Sequence, residues 1–237
     1  MIGDTTFNQI DVNSTVAMTF TGEVTATTFN TVSQNNAITF NGGALITNAT
    51  TLLNTGLVTF GNGDADSIIF TGGVIHTAGA SEIHGLLSST NAGISFAATT
   101  INGTSSVSSG AGAGNVEFNN TLGLGGALNV TAGAGNAIFT GAVTIGTNNL
   151  TVVSSGTTTI TAGITGSTGA IDITATTQTD VDGAIALSGA GTVALDKAIV
   201  SGVDITTVAG AITFDGAAST DTGAVAVGTG EIGRAHV

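Results

Sequence analysis

Apolar and polar residues alternate along most of the chain. Ile171, Ile173 and Ala175 are apolar, for example, whereas Asp172 and Thr174 between them are polar. Successive side chains of a β-strand point to opposite faces, so this period of two predicts strands with one buried and one exposed face. Apolar residues at the spacing of a helix are nearly absent. The pattern therefore predicts short strands whose apolar residues point inward.

A short motif, an apolar residue followed by any residue and a phenylalanine, recurs along the chain and sets its period. Phe20, Phe40 and Phe60 follow one another at intervals of about twenty residues. Further along, the string Ala-Gly-Ala-Gly-Asn precedes both Phe118 and Phe139 at the same distance. Repeats of this length indicate a solenoid, in which each unit covers the open side of its neighbour. We expect these five phenylalanines to lie in the interior of stacked coils.

Repeat and alternation together predict an all-β fold, a right-handed parallel β-helix with about 20 to 22 residues per coil. Residues 1–230 form a single repetitive domain in this prediction. Between about 141 and 211 the phenylalanine motif lapses, which leaves open either a narrower section of the same solenoid or a change of repeat type. At about 4.8 Å per coil, the rod would be roughly 50 Å long.

Composition and charge exclude several classes of protein. The chain has 37 Gly, no Pro, no Cys, 7% charged residues and a net charge of -13. Its many β-branched residues argue against a disordered chain, and it has no disulfide framework. Two basic residues are too few to bind nucleic acid by neutralising phosphates. No stretch approaches the roughly 18 apolar residues of a membrane span, so we expect no direct membrane insertion.

The last seven residues, 231–237, differ from the preceding sequence. They spell Glu-Ile-Gly-Arg-Ala-His-Val, which matches one reading frame of a widely used sequencing adapter. We therefore interpret residues 231–237 as adapter read-through rather than native sequence. Without them, Lys197 is the only basic residue. We expect the chain to be a fragment of a longer protein.

The repeat texture resembles that of a family of bacterial surface proteins. The strings GAGAGNVEFNNTLG at 110–123, TAGAGNAIFTGAVTIG at 131–146 and VAGAITFDGAA at 208–218 are similar to the β-strand repeats of filamentous-haemagglutinin-like and autotransporter-like adhesins. This resemblance implies a secreted or cell-surface location, with the Gram-negative outer surface favoured. It also implies a role as a rod or display stalk. The implied partners are flanking solenoid repeats and host-cell or matrix glycans or proteins. Phage tail-fibre shafts have a similar texture and remain an alternative.

One loop is a candidate calcium site. Residues 61–69, Gly-Asn-Gly-Asp-Ala-Asp-Ser-Ile-Ile, resemble the nine-residue calcium repeat of the repeats-in-toxin proteins, with Asp64 and Asp66 as the carboxylate ligands. Such sites are completed by the next coil, and no second copy follows. We therefore expect calcium binding by Asp64 and Asp66 to be weak or absent, and we expect no other cofactor.

Few other residues could support catalysis. Asp180 and Asp182 share a strand face with no base beside them, and His76 and His84 are too few for a metal site. We interpret all four as structural or surface residues and predict that the chain is not an enzyme. The enzymatic alternative is a β-helical polysaccharide lyase or hydrolase. A single lysine makes its anionic substrate difficult to bind.

Overall fold

The computed structural model describes residues 5–216, 220–221 and 224–234. They form an all-β solenoid of stacked parallel strands, with about 11 turns of roughly 21 residues each. The predicted all-β parallel solenoid and its coil length are confirmed. Each coil is one passage of the chain through three faces, and its short strands are separated by turns at the corners.

The strands are numbered in chain order. The first ten are β1 (Thr5–Val12), β2 (Met18–Phe20), β3 (Val24–Thr31), β4 (Ile38–Phe40), β5 (Ala44–Ile46), β6 (Thr50–Thr51), β7 (Val58–Phe60), β8 (Ser67–Phe70), β9 (Val74–His76) and β10 (Ser81–Ser88). The next ten are β11 (Ile94–Phe96), β12 (Thr99–Ser108), β13 (Val116–Phe118), β14 (Leu122–Leu124), β15 (Leu128–Thr131), β16 (Ala137–Phe139), β17 (Val143–Gly146), β18 (Leu150–Ser154), β19 (Thr157–Ile160) and β20 (Ile164–Gly166). The remainder are β21 (Ile171–Ala175), β22 (Gln178–Val181), β23 (Ile185–Leu187), β24 (Val193–Asp196), β25 (Ala198–Val200), β26 (Ile205–Thr207), β27 (Ile212–Asp215), β28 (Thr220–Asp221), β29 (Val225–Val227) and β30 (Ile232–Arg234).

The strands stack into three faces. Face 1 contains β2, β4, β7, the first part of β10 and of β12, then β14, β17, β20, β23, β26 and β29. Face 2 contains β1, β3, β5, β8, the second part of β10 and of β12, then β15, β18, β21, β24, β27 and β30. Face 3 contains β6, β9, β11, β13, β16, β19, β22, β25 and β28. Because β10 and β12 cross the corner between faces 1 and 2, these two faces form one sheet.

The core fills the space between the faces. On β21 the side chains of Ile171, Ile173 and Ala175 are buried, while Asp172 and Thr174 are exposed, as the alternation predicts. The same in-and-out pattern occurs in each stack, because parallel pairing in register places inward residues above one another.

The phenylalanines form internal stacks. All five predicted core positions, Phe20, Phe40, Phe60, Phe118 and Phe139, are fully buried, which confirms the prediction. Ring centroids lie 5.3 Å apart for Phe20 and Phe40, 6.0 Å for Phe40 and Phe60, and 5.6 Å for Phe118 and Phe139. The first three residues belong to face 1 and the last two to face 3. The motif therefore marks an inward position and not one particular face.

The faces continue through 141–211, where the phenylalanine motif lapses. On face 1, Val143, Ile164, Ile185 and Ile205 are stacked in register and buried. Further along, β30 pairs with β27 on face 2. Part of the segment that we interpret as adapter-derived therefore continues the ladder, and residues 235–237 lie outside the described residues.

Close contact between coils explains why some corners need glycine. A Cβ atom on Gly126 would lie only 1.9 Å from the carbonyl oxygen of Gly103 in the preceding coil. At Gly123, on face 1, a Cβ atom would meet nothing within 4 Å. Glycine is thus sterically required at the first position and not at the second.

Candidate functional sites

The candidate calcium loop lies at the corner between β7 and β8. Asp66 closes this loop, because its Oδ2 accepts hydrogen bonds from the backbone N–H groups of Asn62, at 2.6 Å, and Gly63, at 2.9 Å. The backbone N–H of Asp66 also donates to the carbonyl of Gly63. The carboxylate thus stabilises a turn of its own coil.

Asp64 instead connects its coil to the next two. Its Oδ1 accepts a hydrogen bond from Nε2 of His84, at 2.6 Å, and another from the backbone N–H of Thr104, at 3.1 Å. The pairing of Asp64 with His84 is not predicted from the sequence, although their 20-residue separation corresponds to one coil. Asp64 is thus a link between coils at the outer corner of faces 1 and 2.

These contacts bear on calcium binding. Calcium takes about six to eight oxygen ligands, and one oxygen of each carboxylate already accepts hydrogen bonds from the protein. Coordination by Asp64 and Asp66 would compete with those bonds. Within the residues described above, no group of three or more His, Cys, Asp or Glu side chains could hold a metal ion. Backbone carbonyls would have to supply most of the ligands.

His76 lies inside the solenoid, apart from His84 at the outer corner. Its ring is fully buried, with Nε2 3.1 Å from the carbonyl oxygen of Asn54 and Nδ1 2.9 Å from Oγ of Ser81. A carbonyl oxygen can only accept, so Nε2 carries the proton and the hydroxyl of Ser81 donates to Nδ1. Burial lowers the pKa of His76, because it disfavours the charged ring, and the bond to Asn54 partly offsets this. His76 is therefore a neutral core residue.

Asp180 is partly exposed on the outer side of β22 in face 3, and Asp182 is exposed immediately after that strand ends. Asp180 is stacked between Thr159 and Ile199. Partial burial, and secondarily the charge of Asp182, raise the pKa of Asp180. Lys197 donates a hydrogen bond to the backbone carbonyl of Thr176. This hydrogen bond links the ammonium group of Lys197 to the preceding coil.

A groove that the sequence does not predict lies on the outer side of face 3. It has a volume of about 360 Å³ and extends across four coils, from Thr51 on β6 to Glu117 on β13. We call it the face-3 groove. Asn115 donates to Oε1 of Glu117 at 3.1 Å, and Ser95 donates to Oε2 at 3.2 Å. Beside these polar groups, the side chain of Ile75 is 43% exposed.

Comparison of the chain with protein families, with curated proteins and with solved structures gave no match in any of the three. Family membership is therefore not shown, and the adhesin resemblance rests on repeat texture. No helix long and apolar enough to cross a membrane occurs in the part of the chain that the structure describes.

Proposed function

We propose that the chain is a structural repeat segment of a large secreted or cell-surface protein, adhesin-like in role, and that it acts as a rod or display stalk. The observation that supports this is the continuous stacking of face 1 from β2 to β29, in parallel register. Each coil contacts mainly its neighbours, so the length of such an object is proportional to the number of coils.

The chemistry of the chain suits this role. Its interior is a continuous apolar core, and its surface is acidic, which favours solubility and disfavours self-association. In this proposal the chain is not an enzyme and is displayed on the outer surface of a Gram-negative cell. Its partners are flanking solenoid repeats, together with host-cell or matrix glycans or proteins.

The rod role can be tested by adding one coil. Val143 and Ile164 occupy equivalent positions on face 1, so duplicating residues 143–163 inserts one complete repeat. We expect the particle to lengthen by about 4.8 Å in small-angle scattering or electron microscopy, with no loss of melting temperature. A matched insertion of 21 Gly and Ser residues at the same point should not lengthen the rod. Loss of folding with the natural repeat would contradict additive stacking.

Surface display needs a separate experiment. Antibodies against the purified chain should label intact cells that naturally produce it, and external protease should remove the signal. Labelling only after permeabilisation would contradict display and leave the rod role untouched.

A further inference from the structure

We propose that the face-3 groove is a binding site for neutral oligosaccharides. This deepens the glycan partner included in the proposed function. It requires only that face 3 be exposed to solvent and does not depend on the rod role.

The dimensions of the groove suit a short extended ligand. Its volume of about 360 Å³ lies within the range of small-molecule sites. Four stacked coils give it a length of about 14 Å along the solenoid axis. Its corner is built from residues with little or no side chain, among them Gly72, Gly73 and Gly93. A ligand can therefore approach the backbone closely.

The polar groups favour a partner that carries hydroxyl groups. Glu117 is the only charged residue that lines the groove, and an ionised carboxylate only accepts hydrogen bonds. Ser95 and Asn115 hold its two oxygens in place. The amide of Asn119 in turn donates to Oγ of Ser95 at 2.8 Å. The carboxylate is thus fixed before a ligand arrives, and its charge repels anionic sugars.

The apolar surface completes the match to a sugar ring. The exposed side chain of Ile75 lies in the same groove as Glu117 and Ser95. One face of a hexose carries C–H groups and its rim carries hydroxyls, so it can contact an aliphatic side chain and a carboxylate at once. Small-molecule sites commonly combine apolar contact with a few placed polar groups in this way.

Backbone pairing disfavours an extended peptide as the occupant. Peptides that add to a sheet need a free strand edge. Here β9 is paired with both β6 and β11, and β11 is paired with both β9 and β13. Among the strands that line the groove, only β6, at the end of face 3, lacks a second paired strand. Over β9, β11 and β13 the groove therefore presents side chains, which suits a ligand that binds through hydroxyl groups.

The spacing of carboxylates favours binding without cleavage. Glycoside hydrolysis typically uses two carboxyl groups about 5 to 9.5 Å apart. On the outer row of face 3, Ile138 and Thr159 stand between Glu117 and Asp180. Three coil spacings separate the two acids by about 14 Å, which is too far for a catalytic pair.

A pair of variants tests the site. A Cβ atom on Gly93 would have only the carbonyl oxygen of Asn115 near it, at 3.8 Å, so Gly93→Leu fills the groove without a backbone clash. Glu117→Gln removes the charge at nearly constant volume. The matched controls lie on face 1: Gly123→Leu, at a position with open space, and Glu82→Gln, on an outward-facing acid.

The probes are cellotetraose, laminaritetraose and triacetylchitotriose, with trigalacturonate as an anionic comparison and tetralysine as a basic peptide. We expect at least one neutral probe to bind in calorimetry, more tightly than trigalacturonate. Gly93→Leu should abolish this binding, and Glu117→Gln should weaken it at least tenfold. Both controls should bind like the parent chain, and all four variants should keep its melting temperature.

Three results would overturn the proposal: no binding of any neutral probe at millimolar concentration, binding that survives Gly93→Leu, or preferential binding of tetralysine. None of these results would affect the coil-insertion or surface-labelling experiments. Failure of the groove site is thus distinguishable from failure of the rod or of surface display.

Discussion

Phe40 lies in the middle of the face-1 phenylalanine stack, between Phe20 and Phe60, and is fully buried. Phe40→Ala would empty this position while the coils on both sides still rest on it. We expect it to lower the free energy of unfolding by about 3 to 5 kcal/mol, measured by chemical denaturation. Asp182→Ala, at an exposed position immediately after β22, is the control and should stay within about 0.5 kcal/mol. Equal effects of the two substitutions would contradict the stacking argument.

His76 makes the stability depend on pH. Its pKa is lowered in the folded protein, so the unfolded chain takes up the proton first as the pH falls through about 6.5. The contribution of His76 to the stability of the fold is therefore complete above about pH 6.5, and it decreases as the pH falls towards the lowered pKa of this residue. The pKa of Asp180 is raised in the folded protein, so protonation of this carboxyl increases the stability as the pH falls. This opposite effect occurs at more acidic pH than that of His76.

Melting temperatures between pH 8 and pH 5 test this dependence. We expect the melting temperature to decrease below about pH 6.5. His76→Gln keeps a donor for the carbonyl of Asn54 and cannot titrate, so its melting temperature should vary less over the same range. His84→Gln changes a partly exposed ring at the outer corner and should retain the decrease due to His76. A His76→Gln variant with an unchanged pH profile would show that another group titrates.

Calcium binding can be decided by titration calorimetry. Asp66 already holds the loop closed through two backbone N–H groups, so we expect a dissociation constant no tighter than about 10⁻⁴ M. The control is Asp172→Ala, which removes an exposed acid on face 2. A micromolar site that Asp66→Ala abolishes and Asp172→Ala retains would refute the prediction.

At the scale of the elements, corner glycines limit how closely coils can stack. Gly126→Ala would place a Cβ atom 1.9 Å from the carbonyl oxygen of Gly103, so the two coils must separate locally. We expect a loss of about 1 to 3 kcal/mol in the free energy of unfolding. Gly123→Ala is the matched control, since its new methyl group meets no atom within 4 Å. Similar stabilities of the two variants would show that the corner relaxes at little cost.

The sequence predicted which residues point inward, because that depends only on local alternation. His76 illustrates how far this reasoning extends. It occupies the phenylalanine position of the motif in Val74-Ile75-His76, and it is stacked on Phe96. A motif that allows residues other than phenylalanine at its third position predicts that His76 is buried. Its partners Ser81 and Asn54 could not be predicted, since they lie in other parts of the coils.

The face-3 groove could not be predicted for a related reason. Along the groove, stacked residues of successive coils are separated by different numbers of residues: 24 between Thr51 and Ile75, 20 between Ile75 and Ser95, and 22 between Ser95 and Glu117. At the corner of faces 1 and 2, Asp64 and His84 are 20 residues apart. Corner loops of variable length shift the register, so a fixed period does not identify outward neighbours.

At the scale of the whole molecule, stacking in register also aligns like charges. Asp196 on β24 is directly paired with Asp215 on β27. At a strand spacing of about 4.8 Å, two unit charges repel by about 1 kcal/mol in water. The chain carries 15 acidic and 2 basic residues, so most acids have no cation to offset them. The apolar core thus stabilises the solenoid, and repulsion between its surface charges destabilises it.

Salt should therefore stabilise the protein. The Debye length shortens from about 30 Å at 0.01 M to about 10 Å at 0.1 M salt, which screens repulsion between coils. We expect the melting temperature to rise with sodium chloride, mostly below about 0.3 M.

Asp215→Asn should raise the melting temperature at low salt and reduce the further increase with salt, because one member of the aligned pair is then neutral. Adding an acid should lower the melting temperature at low salt, and it should do so less for Asn129→Asp, which lies between uncharged Ser106 and Thr151, than for Thr151→Asp, which places a second acid beside Asp172. A melting temperature that is flat or falls with salt would mean that core packing, and not charge repulsion, limits the stability of the rod.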